Sequence, residues 1–323
     1  MTATTDITKL PDIQNQADTR NIPIDRVGIT NVYFPIKVRL KGDPSDKYPA
    51  YRQVSARTKL FVGLPKEYKG INMSRFMESL VEFEEHVVSA QSMPKLLDLL
   101  RSKLKSTDAY ARFEFDYYIE KKAPVSKKSA PQKYECAFTG IKKNGSYDFI
   151  LEVNVIAASL CPCSREMSLL KGLDTKDFKT AAQCPVNGTD PSTLSDISVD
   201  ALNKIQKNNI AIQVGMGAHN QRSNIRVEVV TKEGDIVWIE DLVDLIEKEA
   251  SAPVYPILKR ADEKFVTEQA YNNAKFSEDI TRDVQLSLEK LSNIEGWALR
   301  VYNEESIHAY DVCCYQKSEN WKY

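Results

Sequence analysis

The chain has 323 residues, 42% hydrophobic and 28% charged, with a formal net charge of −1. That length can bury one large core or two modest ones, and the near-neutral balance gives no sign of a nucleic-acid or membrane-surface binder. There is no apolar run of the roughly eighteen residues a membrane helix needs, and Met1 to Gln16 lack the apolar centre of a signal peptide, so a cytoplasmic location is expected.

Residues 1–25 show no period, and Pro11 and Pro23 break any helix, so this stretch reads as an arm. From Val27 to Leu40 the apolar pattern is that of a strand. Gly42-Asp43-Pro44-Ser45 has turn chemistry, and Tyr51 to Val62 is a second strand with Val54, Ala56, Thr58 and Leu60 on one face. Asn72 or Ser74 can cap a helix in which Phe76, Leu80, Phe83 and Val87 recur at helical spacing. His86 falls at its end, where an imidazole meets the last carbonyls. A second helix runs from about Met93 to Lys105 on a leucine face. Ala109 to Glu120, Tyr134 to Lys142 and Tyr147 to Ala158 are strands, the last two joined by Asn144-Gly145, a strong hairpin signal.

Beyond Cys161 the stretch 169–212 is rich in Gly, Asp, Thr, Ser and Pro, with one helical run near Val199 to Gln206. Asn224 to Thr231 is a strand and Trp238 to Ala250 a helix. Asp262 and Asp279 can each start another helix, and Trp297 to Tyr302 and His308 to Tyr315 close as strands. The order strand, helix, helix, strand, strand occurs twice. The expectation is an α+β chain: an arm (1–25), a first module (26–160) and a second (161–323), each an antiparallel sheet with helices packed on one face.

Six cysteines are too few for a disulfide framework. Cys161 and Cys163 differ from the rest, because Pro162 and Ser164 place them in a turn. As thiolate and neutral imidazole, Cys161 and His219 are natural ligands for a first-row divalent ion. A structural four-cysteine zinc site is disfavoured, since Cys161-x-Cys163 is one residue short of the usual pair and Cys313-Cys314 lie in a strand pattern. A catalytic site commonly adds a carboxylate, for which Glu263, Glu268 and Glu278 are available. Arg222 can grip a phosphate bidentately, and Lys259-Arg260 adds positive charge; in isolation each reads equally as a solvated surface.

Leu160-Cys161-Pro162-Cys163-Ser164 and Gly217-Ala218-His219-Asn220-Gln221-Arg222-Ser223 together resemble the signature of the type IB GTP cyclohydrolases. Leu10 to Asn15, Asp18 to Ile24, Pro253 to Arg260, Glu263 to Glu268, Phe276 to Asp279 and Glu305 to His308 are similar to further segments of that family. The resemblance implies the tunnelling fold, with two modules per chain and barrels closed between the subunits of a homotetramer. It implies opening of the imidazole ring of GTP, with C8 released as formate and 7,8-dihydroneopterin triphosphate as product, the first step towards folate. It makes Cys161, His219 and Glu263 ligands of a divalent metal (Mn, Fe or Zn), Glu278 the guanine anchor, and Glu305 and His308 groups beside the reacting ring. Arg222, Lys259 and Arg260 are assigned to the triphosphate from their charge. No nucleic-acid or membrane partner is expected. The chain departs from the family in about 46 extra residues, roughly Leu169 to Val214, between the halves of the motif; Cys184 lies within them. Two other functions fit the same residues: a related tunnelling-fold cyclohydrolase giving a cyclic phosphate, and a non-catalytic metal-binding homologue. Retention of the opening and closing motifs argues against the first, and the intact set Cys161, His219, Glu263, Glu278 and His308 against the second.

Overall fold

The computed structural model describes residues 14, 16–42, 51–169 and 218–323. The first thirteen residues of the arm, Asn15, the expected turn at 43–45, Gly217, Cys184, the expected helix near 199–206 and nearly all of the extra stretch lie outside the described residues.

The chain opens with β1 (Ile24–Arg39) antiparallel to β2 (Tyr51–Leu64). The pair passes very close at Gly28, where a Cβ would stand 1.9 Å from the Leu60 carbonyl oxygen, so only glycine fits. Then come α1 (Ser74–Phe83), the two-residue strand β3 (Val87–Val88) and α2 (Met93–Leu104). Asn72 receives the Ser74 N–H at 3.1 Å at the start of α1. His86 lies just past its end, with Nδ1 3.3 Å from the Phe83 carbonyl oxygen and its ring stacked on Phe83. Val87, whose spacing suits the helix, instead pairs in parallel with Lys37 of β1.

Three long strands follow in a meander: β4 (Ala109–Lys122), β5 (Ser129–Lys143) and β6 (Ser146–Leu160). Asn144 and Gly145 both have positive φ, 51° and 82°, as a tight two-residue hairpin matched to the strand twist requires. The remaining elements are α3 (Pro162–Leu169), β7 (Asn220–Thr231), α4 (Ile239–Glu249), β8 (Ala252–Pro253), α5 (Arg260–Asn272), α6 (Ser277–Leu288), β9 (Ile294–Glu304) and β10 (Val312–Lys317). The last strand begins four residues later than its apolar pattern suggests. Asp311 takes the Glu305 N–H at 3.1 Å and the Tyr302 hydroxyl at 2.5 Å, closing a turn where ladder bonds would otherwise run.

The ten strands of the described residues form one sheet in the order β10-β9-β7-β6-β5-β4-β2-β1-β3, with β8 alongside β6. Pairing is antiparallel apart from β1 with β3. Alternation along the strands fixes what each face meets. On β7, Ser223, Ile225, Val227 and Val229 are fully buried while Asn224, Arg226 and Glu228 are not. The buried face packs Phe76, Leu80, Leu96, Leu97 and Leu100 of α1 and α2, then Leu242, Ile246, Ile280 and Val284 of α4 and α6, into a single core. Each such side chain contributes about 1.5–3 kcal/mol on burial. The other face is polar. A cavity of about 1050 Å³ there is lined by Arg57, Arg112, Glu114, Glu152, Arg226 and Arg300 among others.

Candidate functional site

The C-terminal end of β6 is where the site's elements converge. Leu160 donates its N–H to Ser251 Oγ at 3.2 Å, and its carbonyl accepts the Lys275 N–H at 3.1 Å. Ser251 leads into β8 and Lys275 into α6, so both connections are tied to this one residue. Leu160 also packs with Ala252, Ala270 and Tyr271, which fixes α5 against the same strand end.

Cys161 ends the strand and starts a helix. Its carbonyl accepts the Arg165 N–H at 3.1 Å, the first turn of α3, and its Sγ receives the Ser164 N–H at 3.5 Å. Pro162 at the first helical position suits this start, because its ring presets φ and it has no N–H to leave unpaired. The Arg165 guanidinium lies 5.3 Å from the Tyr271 ring centroid, linking α3 to α5.

His219 sits directly across. The Cys161 N–H donates to the His219 carbonyl at 3.2 Å, extending the β6–β7 ladder by one step beyond Leu160–Asn220. The His219 N–H in turn donates to Ser164 Oγ at 3.1 Å. Residues 58 positions apart in sequence are therefore neighbours by strand register, and the extra stretch does not separate them. His219 Nδ1 lies 2.9 Å from Gln221 Oε1, and Gln221 Nε2 donates to Glu305 Oε1 at 3.0 Å. The imidazole and Glu305 are thus joined through Gln221 across β7 and the end of β9, and Cys161 is tied to His219 through the backbone.

One pleat below lies a buried polar trio. Ser223 Oγ donates to Asn303 Oδ1 at 2.6 Å, Asn303 Nδ2 donates to Ser159 Oγ at 3.4 Å, and Ser159 Oγ donates to the Lys275 carbonyl at 3.1 Å. Ser159, Ser223 and Asn303 stand two residues from Cys161, Gln221 and Glu305 respectively, and none is more than 1% exposed. Burial with satisfied hydrogen bonds makes this a rigid base for the constellation above it. Sequence reasoning passed over these three and Ser164, although Ser164 and Ser223 lie within the quoted motifs.

The other predicted residues are placed less centrally. Glu263 is exposed near the start of α5, and among the described residues no three of His, Cys, Asp and Glu come together as a metal-binding group. Its neighbour Asp262 is fully buried. It accepts hydrogen bonds from the Val125, Ser126 and Lys259 N–H groups at 2.8 Å and from Ser126 Oγ at 2.6 Å. Burial alone would raise the Asp262 pKa, but the bonds from Ser126, Lys259 and Val125 outweigh it and hold the carboxyl far below the usual range. Asp262 thereby locks the β4–β5 turn to the helix start that carries Lys259, Arg260 and Glu263. It sits at the third helical position of α5, so the helix starts at Arg260 rather than at Asp262. Glu278 is exposed in the first turn of α6, where Ser277 Oγ donates to it at 3.0 Å. Arg222 is exposed on the opposite face of β7 from Gln221 and lies between Ala158 and Glu304 in the register. His308 is exposed in the β9–β10 loop, stacked on Tyr310 with ring centroids 4.9 Å apart. None of these residues lines the large polar cavity.

The donor set fits a first-row divalent ion. Cys161 and His219 are backbone neighbours across β6 and β7, and the ring nitrogen remote from Gln221 is left for a ligand.

A continuous antiparallel sheet with its helices on one face defines a tunnelling-fold protein. Uricase from Arthrobacter globiformis shares this architecture, with a TM-score of 0.52 over 93% of this chain and 95% of that one, at 4% sequence identity. Sequence then narrows the class. Residues 10–314 match the family described as type I GTP cyclohydrolase FolE2. The GTP cyclohydrolase FolE2 of Geobacter sulfurreducens is 38% identical over 94% of this chain and 96% of its own length. That of Thermotoga neapolitana is 35% identical over 96% and 98%. The chain belongs to the type I GTP cyclohydrolase FolE2 family.

Proposed function

We propose that this GTP cyclohydrolase of folate biosynthesis works at the Cys161–His219 junction, with Cys161, His219 and Glu263 as the residues that hold its divalent metal. The observation that carries this reading is the register of β6 on β7, which makes Cys161 and His219 neighbours across the two strands. The reaction hydrolyses the imidazole ring of GTP, releasing C8 as formate and leaving 7,8-dihydroneopterin triphosphate. When bound, the ion lowers the pKa of a water so that a nucleophile is available near neutral pH; Mn, Fe and Zn all suit this donor set.

The remaining roles belong to side chains. Glu278 anchors guanine, because a carboxylate accepts from both N1–H and the exocyclic amine. Glu305, held through Gln221, stands beside the reacting ring, and His308 moves a proton near neutral pH. Arg222, Lys259 and Arg260 bind the triphosphate. Arg222 lies on the other sheet face from His219, so it serves a site to which a second subunit contributes. The homotetramer, in the cytoplasm, supplies that neighbour and closes the polar sheet face into a tunnel. The two modules divide, in this reading, at the Asn144–Gly145 hairpin rather than at residue 160. β1, β2, two helices, β4 and β5 then answer to β6, β7, the later helices, β9 and β10.

The test is product formation from GTP by protein stripped of metal and reloaded with Mn²⁺, Fe²⁺ or Zn²⁺, following formate and pterin fluorescence, with Cys161→Ala alongside. Metal-dependent release of both products, lost in Cys161→Ala, is expected. Undiminished turnover by Cys161→Ala would overturn the site, and a cyclic phosphate product would move the chain to the related cyclohydrolase activity.

A further inference from the structure

We propose that Gln221 is a positioning residue that sets the tautomer of His219 and couples it to Glu305. The inference rests on the metal-site reading above and deepens it.

A carboxylate has only acceptors to offer, so the group facing Glu305 Oε1 at 3.0 Å must be the amide nitrogen of Gln221. That choice leaves the amide oxygen facing His219 Nδ1 at 2.9 Å. An oxygen acceptor there is satisfied only if Nδ1 carries a proton. The lone pair of the imidazole is then on Nε2, pointing away from Gln221 and available to a ligand. Reversing the amide would set its oxygen against the carboxylate and its N–H₂ against the ring, which breaks one contact whichever tautomer is drawn. Of the combinations of amide orientation and ring tautomer, one satisfies all three groups.

The surroundings hold Gln221 to this task. It lies opposite Ser159 in the β6–β7 register and two residues from the fully buried Ser223. Glu305 is gripped from its other side, its N–H donating to Asp311 Oδ1 at 3.1 Å. A free histidine side chain in water favours the opposite tautomer, with its proton on Nε2, so the protein must impose this one. An outer contact that fixes ring orientation and tautomer is typically worth about 10–100-fold in metal affinity. Glu305 gains a fixed distance from the imidazole by the same amide.

The chain has only three histidines, His86, His219 and His308, which makes the tautomer directly measurable. Metal-free protein labelled with ¹⁵N-histidine is examined by solid-state NMR, with His219→Gln to assign the signal. Wild type is expected to carry its His219 proton on Nδ1. Gln221→Leu removes both contacts: the tautomer is expected to shift towards Nε2–H and Zn²⁺ affinity to fall about 10–100-fold. Gln221→Glu keeps the acceptor and loses the donor. It is expected to retain the Nδ1–H signal and Zn²⁺ affinity but, with Glu305 repelled, to lose kcat at saturating Zn²⁺ with KM for GTP unchanged. A wild-type His219 protonated on Nε2, or a Gln221→Leu protein with unchanged tautomer and unchanged affinity, overturns the proposal. If Gln221→Leu does not fold, the wild-type and Gln221→Glu spectra still decide it. Equal Zn²⁺ affinity in wild type and Cys161→Ala would sink the metal-site reading instead, and the tautomer measurement would stand apart from it.

Discussion

Replacing Asn303 by alanine tests whether the trio beneath the site is its structural base. Asn303 is 1% exposed and bonds Ser223 at 2.6 Å and Ser159 at 3.4 Å. Ser159 keeps its bond to the Lys275 carbonyl, but the Ser223 hydroxyl loses its acceptor in a fully buried position. An orphaned buried hydroxyl costs about 1–3 kcal/mol. The three missing heavy atoms leave a void of a few tens of Å³, worth about 1 kcal/mol at roughly 24 cal/mol per Å³. The sum is a loss of about 2–4 kcal/mol. Adding Ser223→Ala removes the orphan, so the double variant should be more stable than additivity predicts by about 1–2 kcal/mol. Urea unfolding of the four proteins, at one protein concentration because assembly contributes to stability, measures both quantities. Zn²⁺ affinity of the folded Asn303→Ala protein should also fall, since Cys161, Gln221 and Glu305 each sit two residues from the trio. A single variant within about 0.5 kcal/mol of wild type, or a strictly additive double, would refute the argument.

Asp262→Asn should cost stability in a pH-dependent way. The folded pKa is depressed, so the ionised carboxylate's stabilisation is fully present above its unfolded value of 3.8 and is lost as pH falls below it. The gap in urea midpoint between wild type and Asp262→Asn should therefore be constant near neutrality and narrow below about pH 4; a gap independent of pH would be the wrong result. Glu114 behaves alike. Burial pushes it up, but Lys59, Arg112 and Arg57 hold it down at about 2, so its contribution is fully present above its unfolded value of 4.5 and is lost as pH falls from 4.5 towards about 2. Gly28→Ala drives a Cβ into the Leu60 carbonyl and should destabilise by about 1–3 kcal/mol or more, seen as a lowered urea midpoint; a neutral change would show that β1 and β2 can part cheaply. Glu278→Ala should raise KM for GTP at least tenfold while leaving Zn²⁺ affinity unaltered, and a fall in metal affinity would place Glu278 at the metal instead.

Local chemistry made much of the scaffold legible. Asn144-Gly145 demanded positive φ at both positions and has it. Leu96, Leu97, Leu100 and Leu104 of α2 and the Ile239, Leu242, Val243 and Ile246 stripe of α4 are buried as their periods require, while Leu99 is only half-buried. Reading failed where apolar spacing continued past a break in the chain path. Val87 keeps helical spacing with Phe83, yet pairs with β1. On β4, Ala109, Ala111 and Phe113 are the buried row, and Tyr110 meets Phe61 and Arg26 on the other side. A tyrosine in a strand suits either face, so composition could not set the phase.

The site was legible in a different way. Spacing could not join Cys161 to His219, because contact between strands is set by register and not by distance along the chain. Only the shared motif segments pointed to it. What the motif could not supply is the reason its quieter letters are there. Ser164 fastens His219 to α3, Ser223 builds the base with Asn303, and Gln221 orders the imidazole against Glu305. Each works through a hydrogen bond to a residue far away in sequence or on another element, so none has a signature in pattern or period. In the proposed site, the metal donors need only be the right residue types. Their orientation depends on these uncharged neighbours, and for that reason substitutions at Gln221 and Asn303 probe the site more sharply than removal of a ligand, which any reading of the motif would expect to be fatal.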